Sequence, residues 1–295
     1  MPRNSPTAAR RTLARFLRER RRAAGIPREK VGQYVGKNPV TITRLEKAEV
    51  RAEVGTVSMM LSLYKVPEEE RAYFIDLARA ARRRGWWQRY AKDIPSWHSM
   101  YIGLEADAGE IRCYQAGHVP ALLQTQEYTR ALLEGEPAPV SEEQARRAVE
   151  IHAARQRRLA DEGAVRLRAV IDEGVLRRAV GGPEVMRGQL LRLLAASQRP
   201  EVDLQVLAFA AGAHPARYGS FTVLRFPDPR DQGLVYIEHR MGASFLEEDH
   251  EIAAYDAAFA DLERRALPPA RSRTLLRRLL DGVGGGAADA PAAEG

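Results

Sequence analysis

The chain has 295 residues, of which 45% are hydrophobic and 29% are charged. This composition is typical of a globular protein with room for two domains. No run of about eighteen apolar residues occurs, which argues against a transmembrane helix, and the basic N-terminus lacks the apolar stretch of a secretory signal. The single cysteine, Cys113, is expected to be a small buried hydrophobe in a reducing, cytoplasmic protein.

Charge is spread unevenly along the chain. Residues 1–90 contain 21 Lys or Arg against 9 Asp or Glu, a net of +12, whereas residues 91–295 contain 25 against 30, a net of −5. A basic segment joined to a mildly acidic remainder is typical of a protein whose first part contacts a polyanion such as nucleic acid. Basic runs are also common on solvated surfaces, so the charge alone leaves both interpretations open.

Five short helices are predicted in the first third of the chain. Apolar residues recur there at helical spacing, and glycines and prolines separate the segments. The predicted helices span residues 9–24, 28–35, 39–47, 54–64 and 68–83. Polar residues 1–8 are expected to be disordered. Gly85, followed by two tryptophans, is interpreted as the end of this unit, so residues 9–85 are predicted to form an all-α five-helix domain.

The rest of the chain mixes strand and helix patterns. Strands are predicted over residues 165–171, 202–207, 220–226 and 234–239, and helices over residues 141–159, 183–196, 249–266 and 272–280. This order predicts an α+β domain with a small sheet over residues 86–281. The Gly/Ala-rich residues 282–295 are predicted to be a disordered tail.

The second and third predicted helices have the features of a helix-turn-helix. This motif needs a short supporting helix, a tight turn and a second helix whose outer face can enter the major groove. Gly32 would let the second of these helices approach closely, and Gly36 suits the backbone of the turn. Asn38 is a good N-cap and Pro39 a good first helical residue, so a recognition helix is predicted to begin there.

The outer face of this recognition helix carries the predicted DNA contacts, because Ile42 and Leu45 are expected to bury the opposite face. Four residues are predicted to read bases: Val40, Thr41, Thr43 and Arg44. An arginine can pair with guanine or take a phosphate, and valine or threonine methyls can contact thymine. Four flanking residues are predicted to contact phosphates: Arg28, Lys37, Asn38 and Lys47. An ordinary helical hairpin with a solvated polar face is the alternative.

Residues 11–66 resemble the Xre-type, lambda-repressor-like helix-turn-helix family. The stretch K-N-P-V-T-I-T-R-L-E, Lys37 to Glu46, is similar to the recognition segment of that family. Thr43 stands where the family usually has serine. The resemblance implies sequence-specific binding to double-stranded DNA.

Short matches in order along the rest of the chain resemble the actinobacterial WhiJ-like group of regulators, which couple such a domain to a large C-terminal domain. The matching stretches are 82–87, 101–108, 119–128, 154–159, 171–178, 180–190 and 235–238. Ala121 and Ala208 depart from a glycine and a proline that the group commonly has. The resemblance also implies a small cognate protein as a partner, in an antitoxin-like role.

The body of the chain shows no pattern of catalytic residues. Its histidines lack the close spacing of zinc ligands. Asp172 and Glu173 lie at a strand end without a partner nucleophile, and a helix cap is the favoured interpretation. Gly181 and Gly182 are interpreted as the lead-in to a helix rather than a phosphate loop. We therefore expect no enzymatic activity, no metal and no cofactor.

The sequence thus predicts a cytoplasmic, sequence-specific DNA-binding transcriptional regulator that acts as a homodimer and does not associate with membranes. Its C-terminal domain is predicted to sense a small-molecule effector or to bind a partner protein. Residues 119–128, with Tyr114 and Gln124, can line an effector pocket or belong to the core, and the core is favoured. The alternative function is an antitoxin-like interaction module whose C-terminal domain binds a small cognate protein.

Overall fold

The computed structural model describes residues 5–160, 165–229 and 231–285. The chain divides into two compact units, Met1–Asp107 and Ala108–Gly295. This division lies beyond the boundary after residue 85 that the sequence suggested. A 3₁₀ turn at Trp86–Tyr90 and a sixth helix at Ser96–Glu105 belong to the first unit, since the sixth helix packs against the first. Within the described ranges, no helix has the length and apolar character needed to cross a membrane.

The N-terminal unit is entirely helical in its described part. Its helices are α1 (Pro6–Ala23), α2 (Arg28–Val35), α3 (Pro39–Glu46), α4 (Val54–Leu63), α5 (Glu68–Ala80) and α6 (Ser96–Glu105). The five predicted helices are therefore confirmed, to within three residues at every end.

The start of the chain differs from its prediction. Ser5 caps α1 by accepting a hydrogen bond from the Ala8 amide, at 3.1 Å, and its hydroxyl donates to the Gly103 carbonyl. The expectation of disorder is therefore wrong for residues 5–8, while residues 1–4 lie outside the described part of the chain.

The C-terminal unit is built on one six-stranded sheet. Its strands are β1 (Glu110–Gln115), β2 (Arg166–Asp172), β3 (Val202–Leu207), β4 (Phe221–Arg225), β5 (Leu234–His239) and β6 (Gly242–Leu246). The strand order is β3-β2-β1-β4-β5-β6. Strands β1, β2 and β3 run parallel, whereas β4, β5 and β6 form an antiparallel meander that joins β1 through β4. The α+β fold class is confirmed, with a sheet that is two strands larger than predicted.

Six α-helices belong to the described part of this unit. They are α7 (Gln126–Glu134), α8 (Glu142–Gln156), α9 (Glu173–Arg177), α10 (Gly182–Ala196), α11 (Asp249–Arg265) and α12 (Pro269–Gly285). Helix α11 packs on β1, β3, β4 and β5, and α12 packs on α10 and β3. Because α12 continues to Gly285, the predicted tail is helical over its first residues. Residues 286–295 of that tail lie outside the described part of the chain.

The side chains predicted to line a pocket or to belong to the core lie in the core. Tyr114, Val119, Gln124 and Tyr128 are all buried. The Gln124 amide donates to the Val119 carbonyl at 2.7 Å, and its oxygen accepts from the Thr129 hydroxyl at 2.9 Å. Its polar atoms are thus satisfied within the protein, as buried polar groups generally are. Cys113 in β1 is buried too, which confirms its interpretation as a small hydrophobe.

Candidate nucleic-acid interface

The turn between α2 and α3 is fixed by two glycines and an N-cap. Gly36 ends α2 in the left-handed conformation, with φ of 67°, which glycine adopts without strain. At Gly32, a Cβ atom would lie 2.5 Å from the carbonyl oxygen of Lys37, so a side chain would force the turn apart. Asn38 caps α3 by accepting from the Val40 amide at 2.8 Å. The close approach, the turn and the helix start expected from the sequence are all present.

Helix α3 has one buried face and one open face. Ile42 and Leu45 are buried. On the other side Val40 is 64% exposed and the Arg44 side chain 55% exposed. These two residues are four apart, which places them one above the other on the same side of a helix. The open face is therefore presented by an apolar side chain next to a long cationic one.

The two threonines lie at the margins of this open face and are half-buried. The Thr43 hydroxyl donates to the Pro39 carbonyl one turn earlier, at 3.2 Å. The hydroxyl proton is thus engaged within the helix. Thr43 can still accept a hydrogen bond from a base through its oxygen, or contact a base through its methyl group. Thr41 lies on the opposite margin, close to the first turn of α3.

Three of the predicted cations lie on accessible surface beside α3. Lys37 is 3.4 Å from Glu53, and Arg44 is 3.6 Å from Glu49. Both pairs are exposed, and such pairs contribute about 1 kcal/mol or less. A phosphate can therefore displace either acid at little cost. Lys47 is exposed at the end of α3.

Arg28, the remaining cation among the predicted phosphate contacts, is partly exposed and pairs with a buried acid. Its Nε donates to Glu46 Oε2 at 2.9 Å. The Glu46 side chain is only 1% exposed, and it also accepts from Arg21, at 2.5 Å from Nε and 3.0 Å from Nη2. These hydrogen bonds raise the pKa of Arg21 above its ordinary value. We call Arg21, Arg28 and Glu46 the ionic clip; it joins α1, α2 and α3.

Sequence reasoning missed the clip and one exposed aromatic residue. Glu46 follows Ile42 by four residues and so falls on the inner face of α3, where a charge requires a partner. An acidic residue on the inner face was the signal in the sequence that could have predicted the clip. Tyr34 is half exposed on α2 and lies two residues before the turn; no pattern in the sequence distinguished it from a core residue.

The acidic pair at the end of β2 is also occupied by protein groups. Asp172 accepts from the Gly174 amide at 2.8 Å and from the Tyr114 hydroxyl at 3.2 Å. Glu173 accepts from the Phe209 amide at 2.9 Å and pairs with Arg177 at 2.7 Å. Burial, followed by the nearby Asp172 carboxylate, raises the pKa of Tyr114. The helix cap predicted at this position is confirmed.

The chain was compared with known protein families, with curated proteins and with solved structures. Residues 99–278 match the family model of a domain of unknown function (DUF5753). The chain belongs to the DUF5753 family. In this DUF5753 protein, residues 12–74 match a second model, described as a helix-turn-helix domain. No curated protein and no solved structure matches it.

The helix-turn-helix match covers the whole of α2, the turn and α3. This is the class of domain that regulators use to bind DNA, with the second helix in the major groove. The DUF5753 match begins inside α6 and covers the whole sheet. In the described ranges, no three His, Cys, Asp or Glu side chains lie together as metal ligands would.

Proposed function

We propose that this DUF5753 protein is a transcriptional regulator that binds a two-fold operator as a homodimer, with α3 of each copy in the major groove. The observation that carries the proposal is the open face of α3, where Val40 and Arg44 are exposed on a helix whose other face is held by the core and by Glu46. Because the core fixes the orientation of this helix, its exposed side chains have defined positions. Direct readout of base edges requires side chains placed in this way.

The open face suggests a division of roles. Arg44 is long enough to pair with guanine through two hydrogen bonds, and Val40 beside it can contact a thymine methyl. Thr41 and Thr43 border the same surface and complete the predicted base-reading set. Lys37, Asn38 and Lys47 flank it and would hold phosphates, which position the helix without selecting a sequence.

The first experiment is capture and sequencing of genomic fragments by the purified chain, followed by affinity measurements on the enriched site. Replacing Arg44→Ala is expected to weaken specific binding by about 1–3 kcal/mol and to relax one base position. Arg44→Lys keeps the charge but loses the two-pronged guanidinium, so it is expected to lose base selectivity while retaining binding to unrelated sequences.

Arg79→Ala serves as the matched control, because Arg79 is an exposed arginine on α5 with an ion pair to Asp76. It is expected to leave both affinity and sequence preference unchanged. Lys37→Ala should weaken all sequences alike and reduce the salt dependence of binding. If Arg44→Ala bound the enriched site as tightly as the wild type, or if no motif were enriched, base reading by α3 would be rejected.

We further propose that the DUF5753 domain acts without catalysis, as a sensor or partner-binding unit of a cytoplasmic regulator. The support is the acidic pair Asp172 and Glu173, whose oxygens are taken up by helix capping and by protein donors. The resemblance to WhiJ-like regulators favours a small cognate protein as partner and an antitoxin-like role. Co-purification with the product of a neighbouring gene tests this, and independent elution of the two proteins would count against it.

A further inference from the structure

The two edges of the sheet are treated differently by the fold. At the β3 edge, the Leu267 amide donates to the Val206 carbonyl at 2.9 Å, and the Val206 amide donates to the Ser272 hydroxyl at 3.0 Å. The Gln205 side chain adds a bond to the Leu267 carbonyl at 3.1 Å. The segment before α12 and the beginning of α12 therefore close this edge. An open strand edge is a template for pairing with another chain, and proteins commonly cover it in this way.

The β6 edge lacks such a cover. Strand β6 pairs with β5 on one side and, in the part of the chain that the structure describes, has no strand on the other. Over the same described ranges, no backbone–backbone hydrogen bond outside the sheet ladder involves residues 242–246. The outward amides and carbonyls of β6 are thus left to solvent or to another chain.

The charges at the two ends of β6 have opposite signs. The hairpin tip before the strand carries Arg240 and Met241, and Met241 is 89% exposed. The strand is followed by the acidic run Glu247, Glu248 and Asp249. Arg240 lies 3.5 Å from Glu136, but both side chains are more than half exposed, so this ion pair is weak.

Only one pairing of this edge with itself brings the opposite charges together. In a parallel arrangement, the hairpin tips of the two copies would lie side by side, and so would the two acidic runs, which would repel each other. In an antiparallel arrangement about a two-fold axis at Ser244, the tip Arg240 of each copy reaches Glu248 of the other. Like charges placed directly opposite destabilise a strand pair, whereas opposite charges stabilise it.

The side chains within the strand fit the same antiparallel register. With the axis at Ser244, Ala243 lies opposite Phe245 of the second copy, and Gly242 lies opposite Leu246. Each pair combines a small residue with a large one, so neither face of the joined sheet is overfilled. Ser244 is exposed and lies opposite its own equivalent, where two hydroxyls can share a hydrogen bond.

We infer that β6 is the dimer interface of this protein: it pairs antiparallel with β6 of a second copy and joins two six-stranded sheets into one continuous sheet. The inference rests on the homodimer of the proposed function and names its interface in the C-terminal unit; it does not depend on whether α3 reads DNA. If α3 does bind a two-fold operator, this pairing supplies the symmetry that such binding requires.

The first test is disulfide crosslinking of the full chain. Ser244→Cys is expected to give a covalent dimer under mild oxidation, because the two substituted positions face each other across the axis. Met241→Cys is the matched control: it is highly exposed, but in this register the two copies of position 241 are about 20 Å apart. The native Cys113 is buried. Equal crosslinking of both variants, or none at Ser244→Cys, would overturn the inference.

The second test is a charge exchange read by sedimentation equilibrium in the absence of DNA. Arg240→Glu is expected to raise the dimer Kd about tenfold, because it places acids together at both ends of the interface. Adding Glu248→Arg to that variant should restore the wild-type Kd. Circular dichroism checks that α11 remains folded, since Glu248 caps that helix. A wild type that remains monomeric at about 100 µM, far above the Kd of a specific dimer, or a charge exchange without rescue, would reject the β6 interface.

Discussion

The buried Glu46 in the N-terminal unit and the acidic pair in the C-terminal unit, half-buried Asp172 and buried Glu173, are stabilised in different ways. Glu46 is held by two guanidinium groups that come from other helices, 25 and 18 residues away. Asp172 and Glu173 accept from two backbone amides and one tyrosine hydroxyl, and Glu173 also pairs with Arg177 four residues later. The first arrangement is a charge balance between helices, and the second is a set of caps at a strand end.

The free-energy cost of removing a partner therefore differs between the two carboxylate sites. Removing a cation from Glu46 leaves an unbalanced buried charge, which is costly. Removing the hydrogen bond that Asp172 accepts from the Gly174 amide costs about as much as the loss of a helix cap. A pair of adjacent acids is therefore weak evidence for catalysis. At the end of β2, the oxygens of both acids accept hydrogen bonds from backbone amides.

The largest effect is expected from breaking the ionic clip. Arg21→Met should lower the free energy of unfolding of the N-terminal unit by about 3 kcal/mol, because Glu46 loses its two-bond partner while buried. Arg28→Met should cost about 1 kcal/mol or less, since Arg28 is 37% exposed and water can replace it. Urea unfolding followed by tryptophan fluorescence measures both, because all three tryptophans lie within residues 1–107. Equal losses in the two variants would contradict the unequal roles assigned to the two arginines.

A smaller effect is expected at the end of β2. Asp172→Ala removes the acceptor of the Gly174 amide and of the Tyr114 hydroxyl, and should cost about 1–2 kcal/mol. Asp172→Asn keeps the capping oxygen and is expected to recover at least half of that loss. Urea unfolding followed by far-ultraviolet circular dichroism compares the two. An alanine variant as stable as the wild type would show that these bonds contribute nothing to the fold.

The smallest effect is expected next to the clip, at Tyr64. Burial, and then the charge of Glu46, raise the pKa of this tyrosine. Its buried hydroxyl has no hydrogen-bond partner among the described residues. At pH 7, Tyr64→Phe should therefore leave the free energy of unfolding unchanged or raise it by up to about 1 kcal/mol, since no bond is lost and a buried hydroxyl without a partner is removed.

The same substitution has a pH-dependent consequence. A group whose pKa is raised on folding contributes stability below its unfolded pKa, about 10 for tyrosine, and loses that contribution as the pH rises further. Between pH 7 and pH 11 the wild type should therefore lose more stability than Tyr64→Phe. Urea unfolding by tryptophan fluorescence at the two pH values gives the comparison. Parallel losses in both proteins would mean that Tyr64 ionises as easily in the folded state as in the unfolded chain.

The recognition helix could be predicted from the sequence because its signals are local. Asn38 and Pro39 mark its start, Gly36 sets the turn, and the alternation of Ile42 and Leu45 with polar residues indicates which face is buried. Each of these signals acts within one or two helical turns. The helix bounds and the buried and open faces of α3 follow from them, and the structure confirms both.

The features that escaped prediction depend on distant partners. Strand β1 contains Arg112, and an arginine is typical of an exposed position. In the structure it donates at 3.1 Å to Asp256 of α11, which lies 144 residues later in the sequence. Strand β6 is five residues long and contains a glycine and a serine, so its strand signal is weak. The bond between Arg28 and Glu46 also escapes prediction, since the two residues lie 18 apart in sequence.

The position of β1 in the middle of the sheet determines the order in which this chain can be built. Its two neighbours, β2 and β4, follow it by about 50 and 110 residues, so the sheet has no centre until both segments have been synthesised. The six helices of the first unit are complete once Glu105 has been synthesised, before any strand of the sheet. During synthesis, domains generally fold as units with the N-terminal one first. On the ribosome the helix-turn-helix is therefore expected to be folded while the sheet is still incomplete. A chain interrupted between Asp107 and β4 would carry a finished recognition helix without the strands that we propose join it to a second copy.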